Sequence, residues 1–240
     1  DPEKMIDYAD KLLNGIEIMS DTDELPKAEK PFNLGEIVQK WQKSFDLDFG
    51  GYARAPKFMM PSNLDFLQTY GFINNNKEIL NHVDLTLTRM AWGGLFDTVH
   101  GGFSRYSVDM KWHIPHFEKM LYDNALLLKV YADAYKRTKS TSYLEVIKKT
   151  ISFLKDELMC ENGGFYSALD ADSLDHDNQL TEGAFYVWKI EELKSLIQED
   201  YDLFEQVFNI NSYGFWEDDN YVLIQNDNLE SFANKNNISL

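Results

Sequence analysis

The sequence predicts a mostly α protein of stacked helical hairpins, with its longer, strand-bearing loops gathered on one rim. Three observations predict it. Apolar residues recur at helical spacing along most of the chain, as in Met5, Ile6, Ala9, Leu12, Leu13 and Ile16. Three loops carry a glycine pair followed by an aromatic: Gly50-Gly51-Tyr52, Gly101-Gly102-Phe103 and Gly163-Gly164-Phe165. Their spacing, about 50 and then about 60 residues, is that of stacked supersecondary units. Two helices separate each such loop from the next, and antiparallel helices bring every second connection to the same end.

The elements follow in order. Residues 2–19 read as a helix with Pro2 near its start. Residues 20–32 are polar, hold two prolines and read as a connection. Residues 33–45 read as a second helix, with Asn33 as N-cap and Leu34, Ile37, Val38 and Trp41 as its stripe. After the first glycine loop, residues 62–73 resume a helix behind Ser62, and 77–92 form another that stops at Gly93-Gly94. The second glycine loop leads through "KWHIP" into a long helix expected from Pro115 to about Arg137, and Thr141 to Met159 forms the next. "EGAFYVWKI" alternates aromatic and small residues and reads as a strand. Helices follow from about Glu191 to Phe208, then an Asn-rich tail with a strand at Tyr221–Ile224. The short connections near Asn74-Asn75-Asn76 and Lys139-Ser140 belong on the opposite rim.

With 240 residues, 44% apolar and 14% aromatic, the chain has material for a sizeable core, and residues 1–240 are expected to form one domain. A net charge of −17, from 23 basic and 40 acidic side chains, argues against nucleic acid and against an anionic membrane surface as partners. One cysteine, Cys160, excludes an intramolecular disulfide and a CxxC pair, and reads best as an inert thiol. No apolar run approaches the roughly 20 residues of a membrane span, and no signal peptide is visible, so the expected location is the cytoplasm.

Three longer motifs occur in order: "GGYARAPKF", "GGFSRYSVD…W…PHFEKMLYDNA" and "GGFYSALDADS…EGAFYVW". Together they resemble the thioredoxin-domain-containing, or spermatogenesis-associated, protein family over roughly residues 35 to 200. The resemblance implies an (α/α)6 toroid, similar to six-hairpin glycosidases and N-acylglucosamine 2-epimerases, beside an N-terminal thioredoxin-like domain. This chain has no CxxC and about seven expected helices where a full toroid has twelve. The expectation is therefore an incomplete toroid that works with a thioredoxin-like domain outside this sequence. Such a piece should expose an apolar edge, through Ile6, Leu13 and Ile16 at one end and Leu203, Phe204 and Phe208 at the other, and through it self-associate, pair with the rest of the protein, or be less stable than the whole.

Candidate chemistry gathers in two stretches. In "WHIPHFEKMLYDNA", His116 and Glu118 are expected in a first helical turn, where a histidine can serve as acid or base near neutral pH; the other reading is a packed, hydrogen-bonded residue. Lys119 and Asp123 have the spacing of a helical ion pair, and His113 reads as a loop residue. In "DADSLDHD", Asp170 and Asp172 point the same way if extended, and with Glu182 they offer the carboxylate pair that glycoside chemistry uses; the other reading is turn capping. The stretch fails as a calcium loop because Asp175 stands where glycine is required and Thr181 where the bidentate glutamate belongs. Asp109 is expected to complete a polar floor with His116, Glu118, Asp170 and Asp172. Arg54 and Arg105 are candidates to hold ring hydroxyls or a carboxylate. Tyr106, Trp112, Tyr166, Tyr186 and Trp188 are candidates to stack on a sugar, or else hairpin core. No metal or cofactor motif is read: GxSxG, a Walker loop and HExxH are all absent. Two functions of different class stay open, a carbohydrate-active hydrolase or epimerase and a non-catalytic module that binds sugar or protein.

Overall fold

The computed structural model describes residues 2–20, 33–225 and 227–238; most of the expected connection at 20–32 lies outside them. The chain divides into two compact units, Asp1–Lys43 and Ser44–Leu240. In the first, α1 (Pro2–Ser20) leaves its apolar stripe, Met5, Ile6, Leu12, Leu13 and Ile16, exposed. Helix α2 (Leu34–Gln42) starts where Asn33 predicts. The Asn33 carbonyl accepts from the amides of Gly35 and Glu36, and its own amide donates to Glu36 at 3.0 Å. It ends three residues before the expected stop at 45.

The second unit begins with β1 (Lys57–Phe58) and the hairpin of α3 (Pro61–Ile73) and α4 (Lys77–Trp92). Short strands β2 (Tyr106–Ser107), β3 (Pro115–His116) and β4 (Lys119–Met120) precede α5 (Leu121–Thr138), which pairs with α6 (Thr141–Phe153). The last turn of α6 widens into a π-helical turn, Leu154–Leu158. Then come β5 (Ala168–Leu169), β6 (Asp172–Leu174), β7 (Leu180–Glu182), β8 (Trp188–Lys189), α7 (Ile190–Ile197), a 3₁₀ turn and α8 (Tyr201–Phe208). Strand β9 (Asn220–Tyr221) and α9 (Leu229–Asn236) end the described chain; α9 was not foreseen.

The hairpin core is the apolar face the spacing predicts. Leu64 and Leu67 of α3, Ile79, Val83, Leu87 and Met90 of α4, and Leu127, Val130 and Tyr131 of α5 are buried. Each such side chain contributes about 1.5–3 kcal/mol. Tyr131 satisfies its hydroxyl on Leu87 O at 2.7 Å, and Arg137 of α5 grips Asp84 of α4 with both terminal guanidinium nitrogens, Nη1 and Nη2.

The rim is stitched by β pairing. Strands β1, β2 and β3 form one antiparallel sheet that joins the first two glycine loops; β4 with β5 joins the second to the third; β8 with β9 joins the third to the tail. Each glycine loop is closed in the same way, by a bridge from the residue ahead of the turn to the aromatic behind it: Phe45 to Tyr52, Phe96 to Phe103, Met159 to Phe165. A fourth loop, unseen in the sequence, has the same closure, Phe215 to Tyr221, about 56 residues after the third. Asp218 and Asp219 take the positive φ there that glycines take elsewhere.

Four sequence expectations give way. The helix does not begin at Pro115. Residues 115–120 are extended because β2 captures Pro115 and His116, while Glu118 O accepts from Arg105 N at 2.8 Å. Pro115 sits in the edge strand β3, where its missing N–H costs no ladder bond. "EGAFYVWKI" is mostly a turn, since Gly183 at φ +72 breaks the alternation and Tyr186 N bonds back to Gly183 O. Lys119 does not pair with Asp123; it turns inward to Asp97 at 2.9 Å. Phe204 and Phe208 do not form a bare edge, because they pack against the cluster of Leu193, Tyr201, Ile210 and Leu223, and Leu203 is half-buried.

Candidate functional site

The rim carries two repeated anchors below its surface. In the first loop, Asp46 accepts from the amides of Asp48 and Phe49, and its other oxygen takes the buried Lys57 ammonium at 2.6 Å. In the second, Asp97 accepts from Val99 and His100 and takes the buried Lys119 ammonium at 2.9 Å. Each ammonium also bonds a carbonyl, Met110 O or Gly101 O, and lies over an aromatic face, Trp112 or Tyr186. Burial pushes both amines below the usual lysine range, against the pull of their aspartates. These clamps fix the loops that carry the site. The sequence hides them, because the lysines follow their aspartates at unequal distances.

Above the anchors runs a chain of charged groups. Arg105 Nη1 donates to Glu118 Oε2 at 2.8 Å. The same carboxylate oxygen lies 3.7 Å from His116 Nε2, and His116 Nδ1 is 2.8 Å from Glu182 Oε1. Tyr106 stacks on the imidazole with centroids 5.0 Å apart and is itself backed by Phe58 at 4.8 Å. The backbone explains the convergence. His116 and Glu118 alternate to one face of an extended segment. The β2–β3 register sets Tyr106 opposite His116, and the β6–β7 hairpin swings Glu182 over from the third loop. All four charged side chains stay partly exposed, with His116 at 29% and Glu182 at 46%. Glu182 also lines an open cleft with His176, Lys189, Glu192 and Trp216.

The structure thus brings together Arg105, Tyr106, His116, Glu118 and Glu182 from the expected set. Asp172 stands opposite Glu182 in the hairpin register, and Asp170, one residue past β5, accepts from the Asp172 amide at 3.3 Å. Asp109 is occupied elsewhere: its two oxygens accept from the amides of Lys111, His113 and Ile114 and shape that loop. Trp112 is buried, donating its indole N–H to Phe49 O at 2.8 Å, and belongs to the core. Trp188 packs beside Leu193 and Tyr201, and Tyr186 stacks on Phe117, so both are hairpin packing. Arg54 is exposed and lies 6.0 Å from the Tyr52 ring centroid; Tyr166 is exposed. His113 is half-buried and stacks on Tyr213. Asp175 caps the hairpin turn through Asp177 N and Gln179 N. Among the described residues no group of three or more His, Cys, Asp or Glu is arranged to hold a metal ion, and no helix is long and apolar enough to cross a membrane.

One residue of this neighbourhood was read from the sequence only as the ion-pair partner of Lys119, which instead turns to Asp97. Asp123, in the first turn of α5, is only 8% exposed. Burial pushes its carboxyl up to about 6, while the nearby Arg105 guanidinium works in the opposite sense. The "YDNA" stretch gave no sign of this, because a first-turn aspartate ordinarily faces solvent.

No family model matches the chain. An uncharacterized protein of Caenorhabditis elegans is 40% identical over 222 residues, which are 89% of this chain and 30% of that protein. Spermatogenesis-associated protein 20 of Homo sapiens is 39% identical over 193 residues, 78% of this chain and 24% of the human protein. The chain therefore spans between a quarter and a third of the length of these relatives. Among solved structures, cellobiose 2-epimerase from Spirochaeta thermophila superposes with a TM-score of 0.50 at 21% identity, over 56% of this chain and 36% of the epimerase. That likeness shows the fold: the helical hairpins are part of an (α/α)6 toroid.

Proposed function

Homologous to a segment of spermatogenesis-associated protein 20 and folded as part of a toroid, this chain carries, we propose, the acid/base end of a carbohydrate-active site, with His116 as the proton-transferring group. The observation that supports the reading is the two-sided hold on the imidazole. Glu182 at 2.8 Å accepts the Nδ1 proton, which fixes the tautomer and leaves the Nε2 lone pair free as a base. Glu118 stands 3.7 Å from Nε2, too far for a direct hydrogen bond and near enough for a ligand hydroxyl between them. Arg105 anchors Glu118, and Tyr106 offers an aromatic face beside the ring. Proton transfer next to a sugar carbonyl, as an epimerase or isomerase performs it, needs such a base.

A second reading has its own support. Both glutamates are already engaged, Glu118 with Arg105 and Glu182 with His116, and an ion-paired rim is what a non-catalytic sugar-binding module presents. Incubation with a panel of aldoses and β-linked disaccharides in D2O, followed by NMR, separates the two. Deuterium entering at C2, and falling by about 100-fold or more in His116→Gln with the melting temperature unchanged, is the outcome expected of the enzyme. Saturation transfer from Tyr106 to a sugar without exchange is the outcome expected of the binder. Neither signal from the chain or from the longer protein refutes both.

A further inference from the structure

We infer that Phe58 is a positioning residue of this site: as the end ring of a cross-strand stack with Tyr106 and His116 it fixes the plane of the imidazole, so that the first glycine loop serves the site without lending it a polar group. The inference rests on the reading of the His116 neighbourhood as the site and adds to it a residue with no hydrogen-bonding side chain.

The three-stranded sheet has two unlike faces. Directly opposed residues of adjacent antiparallel strands share a face. On one face the register sets Lys57, Ser107 and Pro115 in a row, and all three are buried. On the other it sets Phe58, Tyr106 and His116 in a row, and all three keep some exposure, Phe58 at 40%. The ring centroids are 4.8 Å apart from Phe58 to Tyr106 and 5.0 Å from Tyr106 to His116, with planes inclined by 33° and 23°. Neighbouring strands lie about 4.8 Å apart, so the stack is the register made visible in side chains. The strand order β1-β2-β3 places Phe58 and His116 on opposite sides of Tyr106. A hydrogen bond from Nδ1 to Glu182 holds one corner of the imidazole and lets the ring tilt about it. A flat neighbour on the ring face removes that tilt, and Phe58 is what keeps the half-buried Tyr106 in place to be that neighbour.

Phe58 is fixed in turn by the residue before it. Strand β1 is Lys57 and Phe58 alone, and their side chains alternate. Lys57 points down, its ammonium 2.6 Å from Asp46 Oδ2 and 2.8 Å from Met110 O, while Phe58 points up onto Tyr106. The clamp beneath the first loop therefore sets the stack above it. The second loop divides its residues in the same way: Phe117 and Lys119 are buried, while His116 and Glu118 face the site.

The test is ligand-free NMR of the whole chain at pH 8, so that it stands apart from any failure to find the right sugar. Two signals are taken from His116: its ring nitrogens, which report how far the proton stays on Nδ1, and its ring protons, which the ring current of Tyr106 displaces. In Phe58→Ala the nitrogens should move toward one another and the ring protons toward their unstacked position. The ratio of positioned to unpositioned imidazole should fall about 2- to 10-fold, the worth of one aromatic pair. Phe58→Tyr should restore both signals, and Phe66→Ala, which removes an exposed aromatic of α3 outside the stack, should leave both unchanged. Should Phe58→Ala not fold, Phe58→Leu replaces it, apolar but without a flat face, and must move both signals the same way. His116 nitrogen signals identical in the wild type and the unstacked variant, or no recovery in Phe58→Tyr, overturn the proposal. A sugar screen that fails while the signals move refutes the functional reading and leaves the positioning role standing; exchange into a sugar with unmoved signals does the reverse.

Discussion

Replacing Lys119 by methionine removes one charge from the anchor beneath the second glycine loop while nearly keeping its volume. Lys119 is 1% exposed, and its ammonium is 2.9 Å from both Asp97 Oδ2 and Gly101 O, between the rings of Phe153 and Tyr186 at 4.7 and 4.4 Å. Removing one partner of a buried ion pair costs about 3–5 kcal/mol, because the other charge stays behind uncompensated. Asp97 keeps two amide donors, Val99 N and His100 N, each at 2.9 Å, and its side chain is 14% exposed. Those remaining partners put the expected loss at the low end, about 3 kcal/mol. For a domain of this size that lowers the melting temperature by roughly 6–12 °C. Urea titration followed by tryptophan fluorescence measures it. The double variant Lys119→Met with Asp97→Asn should recover about 1–2 kcal/mol, since no stranded charge remains. A single-variant loss below about 1 kcal/mol, or a double variant no better than the single, would refute the view of Lys119 and Asp97 as a buried clamp.

The glycine loops give a graded second expectation. Gly50 and Gly102 have φ of +70 and +81, and a Cβ would meet Thr86 Cα at 2.4 Å or Phe153 Cδ1 at 2.5 Å, whereas Gly163 at φ +83 has nothing within 4 Å. Gly163→Ala should cost about 1–2 kcal/mol, the left-handed backbone alone. Gly50→Ala and Gly102→Ala should each cost more than about 3 kcal/mol by calorimetry, since overpacking adds to strain. The third expectation concerns acid. Burial holds His82 down at about 4, against 6.5 when unfolded, so the unfolded chain binds the extra proton between those values. Stability should therefore fall as pH drops from 6.5 to 4, by about 3 kcal/mol from this residue. Urea midpoints of His82→Gln that keep the wild-type slope over that window would disprove it.

The three glycine-aromatic loops were legible because glycine is the chemical mark of positive φ, and from them the rim followed. The fourth loop was not, because Asp218 and Asp219 adopt the same backbone without that mark. Helices announced by side-chain spacing came out near their expected bounds, α4 within its predicted residues 77–92. The error at Pro115 had a different origin. Proline and the acidic residues behind it fit a helix start, but the competing partner was β2, distant in local pattern and close in space. The same pairing explains the site. His116, Glu118 and Glu182 were picked out by residue type, while their contact depends on the β6–β7 hairpin reaching across, which no local spacing encodes. Asp109 was placed on the site floor for the converse reason, and Trp112 resolved to the core alternative. Their types suit a site, and their bonds to backbone groups appear only once the loop is folded.

The two sides of this stack differ in how much they depend on an unbroken chain. On the stitched side, β pairing binds each loop to the next, so severing the peptide there frees a strand that a neighbour relies on. On the other side, Asn74–Asn76 and Lys139–Ser140 are plain reversals whose flanking helices are held by their own packing and by the grip of Arg137 on Asp84. New termini, inserted segments or a proteolytic nick are tolerable at those reversals. Lineages that lengthen or recombine such a fold have their freedom there, at the end of the helices away from His116.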